Sequence, residues 1–168
     1  MTEKIIDLLG NIPEPLIVII LSMLPVGELR GSIPVGILEY HLSIPLVYFI
    51  SVIGNLIPIV FVLLFLDKID NWLRKKSKKV AACFDWLYKR TYKRGGKQFK
   101  KWGAVTLITF VAIPLPITGA WTGAVLALLF KVPFKKALSL IAIGVIISGV
   151  IVTILTITAR GILNLPPI

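Results

Sequence analysis

Charged residues are spread unevenly along the chain and leave four uncharged runs, 15–27, 40–66, 102–130 and 137–159, of 13, 27, 29 and 23 residues. A helix needs about 20 apolar residues to cross a hydrocarbon layer of roughly 30 Å. Three runs are long enough, and the first is so only if it continues past Glu28. The segment 44–66 is rich in Leu and β-branched residues and predicts one spanning helix. Residues 137–158 predict a second, with Gly144 and Gly149 as small positions where another helix can approach closely.

The other two apolar stretches carry breakers in their middles. The first holds Pro25, Gly27, Gly31, Pro34 and Gly36, and the second Pro114, Pro116, Gly119 and Gly123. Proline has no N–H to donate and its ring blocks helix continuation, so each stretch reads as two short helical arms around a broken tip. Two arms of about 12 residues each rise roughly 18 Å, which reaches mid-membrane and returns. Irregular backbone at that depth must be covered by protein or line an aqueous cavity. The expectation is two re-entrant helical hairpins, 15–38 and 103–130, and the competing reading is a pair of kinked spans that cross fully.

Charge separates these readings. Residues 67–102 hold 13 Lys/Arg and 3 Asp, which accounts for +10 of the formal charge of +11. If 103–130 re-enters, Lys131, Lys135 and Lys136 return to the same side as that basic block, as the positive-inside rule favours. The block then lies in the cytoplasm and both termini lie outside. Within it Ile69, Leu73, Val80, Phe84, Leu87 and Thr91 recur at helical spacing among Lys and Arg, with Trp72, Trp86, Tyr88 and Tyr92 suited to the headgroup region. This predicts a basic amphipathic helix ending at Gly95-Gly96 that anchors the protein or recognises a headgroup. Attraction to anionic lipid accounts for the charge without a nucleic-acid partner. An offset of 88 aligns Gly31 with Gly119 and Pro45 with Pro133, so the two halves read as an inverted repeat.

Composition narrows the class. A mean hydropathy of +0.91 with 57% hydrophobic residues excludes a soluble fold. Glu3 and Asp7 spoil the basic start of a signal peptide. Cys83, the single cysteine, reads as a free thiol in a reducing compartment. The expectation is an all-α integral protein of the cytoplasmic membrane, a single domain over 1–168 with two transmembrane helices and two re-entrant hairpins.

Candidate chemistry is sparse. Glu28 and Arg30 sit inside an apolar segment, and ionisable groups at membrane depth are costly enough to mark functional sites. A guanidinium in a low-dielectric cavity suits a phosphate, and a buried glutamate suits proton transfer. The alternative is a structural ion pair that holds the tip together. In the second tip Thr118, Trp121 and Thr122 offer hydrogen-bonding groups to a substrate, or else satisfy carbonyls freed by the break. Asn55, about mid-span, is either a cavity-lining ligand or glue between helices. His41 reads as a surface residue or a proton relay. No Asp or Glu follows Asp85, so the second half holds no carboxylate for acid–base work. Neither an enzyme nor a cofactor nor a metal site is expected.

The run Glu28-Leu29-Arg30-Gly31-Ser32-Ile33-Pro34, followed downstream by Pro114-Leu115-Pro116-Ile117-Thr118-Gly119-Ala120-Trp121-Thr122-Gly123, resembles the prokaryotic small multi-drug export family over about 14–159. That family is similar in plan to the DedA/VTT membrane proteins. The resemblance implies two facing re-entrant loops and a role in moving lipids, polyprenyl phosphates among them, at the expense of the proton motive force. DedA proteins carry arginines in the second re-entrant region, whereas Thr118 to Thr122 has none, so only Glu28 and Arg30 carry over as charged site residues.

Together these features predict a transporter of a lipid or amphiphile, acting as a homodimer or higher homo-oligomer among membrane lipids. Arg30 would bind an anionic headgroup and Glu28 couple protons where the two tips meet. Export of small cationic amphiphiles with Glu28 as counter-ion is the second expectation, and a non-transporting scaffold the third.

Overall fold

The computed structural model describes residues 12–76, 103–114 and 118–162, and among them every regular element is helical. Helix α1 (Glu14–Met23) starts where proline is tolerated, with Pro15 in its first turn and Glu14 placed well for the helix dipole. It stops because Leu24 precedes Pro25, which disfavours helical backbone, and Leu24 is accordingly extended. The break spans only residues 24–27. Helix α2 (Glu28–Pro34) follows directly and opens into a π-helical turn, Val35–Glu39.

Gly31, Pro34 and Gly36, expected at the tip, thus lie in helical turns. The reason is local: Pro34 is the last residue of a short helix, and the wider π-turn follows immediately. A π-turn accommodates backbone that cannot sustain the regular ladder.

Helix α3 (Ile44–Lys76) is longer than the span expected over 44–66, continuing ten residues into the basic segment. It also runs straight through Pro58, which the reading of 44–66 as an unbroken apolar helix passed over. The rest of the basic block, 77–102, lies outside the described residues, and with it the end at Gly95-Gly96. Helix α4 (Gly103–Ala112) ends ahead of Pro114. Helix α5 (Ala120–Leu129) begins at Gly119, and Gly123 is inside it rather than at a tip. Helix α6 (Phe134–Ile162) exceeds the expected 137–158 at both ends. Both breaker-rich stretches therefore consist of two helical arms around a break.

Two compact units emerge, and both long helices contribute to each. In the first, α1, α2, the π-turn, α3 up to Asn55 and α6 from Gly149 pack around Val18, Leu29, Ile33, Ile37, Val47 and Val152. In the second, α4, α5 and the start of α6 pack around Leu107, Val111, Ala124, Ala127, Ile141 and Val145. The expectation of close approach at two glycines holds in both. A side chain on Gly144 would meet Val111 at 2.7 Å, and one on Gly149 would meet the Tyr48 ring at 2.9 Å.

The surface is apolar where a soluble protein would be polar. Phe49, Ile53, Phe61, Ile143, Ile154 and Leu155 are exposed on the two long helices, while Ser51, Asn55, Ser148, Thr153 and Thr156 on the same helices are buried. Apolar side chains outward and polar ones inward suit a hydrocarbon solvent and would be an aggregation liability in water. Ile44–Phe65 and Phe134–Ile162 are both long and apolar enough to cross a membrane. The chain has the build of an integral membrane protein.

Candidate functional site

The first unit collects most of the buried polar side chains. Glu28, 9% exposed, is the first residue of α2 and adopts a left-handed backbone, φ 43°, which a residue with a side chain takes up only at a cost. The break positions it: its N–H donates to the Leu24 carbonyl at 3.0 Å, and the Gly31 N–H returns to the Gly27 carbonyl at 2.8 Å. Arg30 follows in the same helical turn, half-buried, and the Glu28 carboxylate acts on its guanidinium electrostatically. On a regular helix, residues two apart point about 200° from one another. The left-handed φ of Glu28 departs from that geometry.

Asn55 is fully buried, and neither its amide nitrogen nor its oxygen has a hydrogen-bond partner among the described residues. One turn earlier on the same face, Ser51 is also fully buried with an unpartnered hydroxyl, and so is Ser32 on α2. Ser22 on α1 is fully buried as well, but donates to the Ile19 carbonyl at 2.6 Å. These three serines were not singled out in the sequence. The signal was there in part, since Ser51 and Asn55 are spaced i, i+4 in an otherwise apolar span. Arg160 was missed too. It is 7% exposed in the last turn of α6, where a cation complements the helix dipole.

The remaining candidates belong to the second unit. Gly119 has φ 142°, backbone that favours glycine, and this is what lets the chain turn into α5. The Thr118 hydroxyl donates across the break to the Ile113 carbonyl at 2.7 Å. Thr122 donates to the Gly119 carbonyl at 3.2 Å, and Trp121 is half-buried. Both threonine hydroxyls therefore serve their own segment's carbonyls. Pro114 closes the first arm, and Pro116 lies outside the described residues. An open groove of about 480 Å³ runs along α4, lined by Thr106, Thr109, Phe110 and Thr118.

Chemically, the first unit offers one carboxylate and one guanidinium at a chain break, backed by a group of uncharged oxygen donors. Such a set can bind and release charged species, and no group of three His, Cys, Asp or Glu able to hold a metal occurs among the described residues.

No curated protein and no solved structure matches this sequence. A family model described as "Putative small multi-drug export protein" matches residues 28–151, which is 124 of the 168 residues and begins at Glu28 itself. The match takes in Arg30, Ser51, Asn55 and the whole second break, and the chain belongs to the small multi-drug export protein family.

Proposed function

We propose that this protein is a membrane transporter that moves an amphiphile, a phospholipid or polyprenyl phosphate in the first instance, with the headgroup received at Glu28 and Arg30. The observation that carries this reading is the buried Glu28 carboxylate on left-handed backbone at the break between α1 and α2, with Arg30 beside it. A buried carboxylate beside a guanidinium gives little net stability, because its desolvation offsets the attraction between the charges. Keeping one in an apolar segment, on strained backbone, is expected where the charges have a task. Arg30 supplies bidentate donors for a phosphate, and Glu28 takes up and releases a proton as the cycle turns.

The family's description favours a second reading, export of small cationic amphiphiles with Glu28 as the counter-ion. The deeper burial of Glu28 relative to Arg30 agrees with it. The two readings part on charge. In vesicles carrying the purified protein, anionic-lipid movement collapses in Arg30→Ala, whereas efflux of a cationic dye collapses in Glu28→Gln and survives Arg30→Ala. A protein that moves neither probe overturns both readings.

A further inference from the structure

Ser22, Ser32, Ser51 and Asn55 come from three separate helices of the first unit, and their arrangement follows from two contacts. A side chain on Gly36 would touch Val47 at 2.8 Å and Val18 at 3.2 Å, so these three positions form one layer. One helical turn from each, on the same faces, stand Ser22 on α1, Ser51 on α3 and Ser32 on α2. On α1 and α2 that turn leads toward the break at 24–27. The second contact agrees with this: Ser22 Oγ and the Ile19 carbonyl lie against Gly54, within the turn that runs from Ser51 to Asn55. Three hydroxyls and one carboxamide, each fully buried, thus face a common interior level.

Such groups are not normally left unsatisfied. Burying a hydroxyl or amide without a partner is costly, because its lost hydrogen bonds to water go unreplaced. Yet Ser32 Oγ, Ser51 Oγ and both polar atoms of Asn55 have no partner among the described residues. The backbone adds a further acceptor. Pro58 withholds the N–H that would bond the Gly54 carbonyl, so an oxygen on the turn that touches Ser22 is left without its helical donor. Glu28, four residues before Ser32 at the start of the same helix, is the nearest carboxylate in the sequence.

We infer that this layer is a binding site for a dehydrated alkali-metal cation. Neutral hydroxyl, amide and carbonyl oxygens suit a hard cation. With neither thiolate nor imidazole in the layer, and its one nearby carboxylate a turn away, the set fits a monovalent ion better than zinc or calcium. Oxygens from interrupted helices are also how membrane transporters hold coupling ions. The cation supplies the partner that these groups lack among the described residues, and it ties α1, α2 and α3 together. The inference concerns equilibrium binding and stands apart from the amphiphile proposed above.

The test is the unfolding midpoint of the purified full-length protein, with choline chloride replaced stepwise by sodium or potassium chloride at constant ionic strength. The expected result is a saturable rise with sodium or potassium. Ser32→Ala and Ser51→Ala each weaken the half-saturating concentration by at least roughly tenfold, equivalent to about 1.4 kcal/mol. A wild-type midpoint that is the same in all three salts overturns the inference and leaves bound water as the partner of these groups. Because that comparison needs only the wild-type protein, a variant that fails to fold does not weaken it.

Discussion

Replacing Asn55 by leucine removes a fully buried amide of the first unit while keeping the number of side-chain heavy atoms. In wild type its nitrogen and oxygen are fully buried with no hydrogen-bond partner among the described residues. An unpartnered buried amide costs about 1–3 kcal/mol, and the branched leucine side chain returns at most about 1 kcal/mol of that as overpacking in a tight interior. In choline, where no alkali cation is bound, Asn55→Leu is therefore between neutral and about 3 kcal/mol more stable than wild type, read by denaturant or thermal unfolding in detergent. In sodium the order reverses, since only wild type gains from the ion. Asn55→Ala serves as the control: it removes the same polar atoms but leaves a cavity, and is stabilised less than Asn55→Leu or not at all. If Asn55→Leu loses more than about 1 kcal/mol in choline, the amide is paired in the folded protein, and the account of this layer is wrong.

Other expectations test the packing and the breaks. Gly54→Ala pushes a methyl group into Ser22 Oγ and to 3.0 Å from the Ile19 carbonyl; overpacking of about 1–3 kcal/mol outweighs the gain of up to about 1 kcal/mol in helix propensity, so the unfolding midpoint falls. Gly31→Ala does the opposite, because nothing lies within 4 Å of the added carbon in α2, and it gains about 0.5–1 kcal/mol. Gly119→Ala is strained at φ 142° and costs about 1–3 kcal/mol by the same measurement. Thr118→Val loses the hydrogen bond to the Ile113 carbonyl and about 1 kcal/mol of stability, while retaining transport in vesicles if the hydroxyl serves the break alone.

Much of the helical architecture could be read from single residues. Pro25 forces Leu24 out of helical backbone, Pro114 ends α4, and Gly119 supplies the one positive-φ glycine among the described residues. Each acts locally, through its own ring or its missing Cβ, and so is visible in a linear pattern. Pro34 misled for the opposite reason, whereas Pro58 leaves the expected helix over 44–66 unbroken. Whether a proline breaks a helix depends on what its neighbours offer, and here a π-turn absorbs one while α3 carries the other.

The charged candidates Glu28 and Arg30 stood out because charge is rare in this part of the chain. The serine layer did not, since serine is unremarkable until three helices bring Ser22, Ser32 and Ser51 to one level. That convergence is tertiary and leaves only the i, i+4 pair Ser51–Asn55 as a trace in the sequence. The left-handed φ of Glu28 left no trace at all, because nothing about glutamate favours it.

If the Glu28–Arg30 break receives the headgroup, as proposed, transport depends on Arg30. The most direct test is leaflet exchange of fluorescent polyprenyl phosphate and phospholipid in reconstituted vesicles, comparing wild type, Arg30→Ala and protein-free vesicles. Wild type is expected to exchange lipid well above protein-free vesicles, and Arg30→Ala near their level. Exchange unchanged by the loss of Arg30, or absent from wild type, would contradict the proposal.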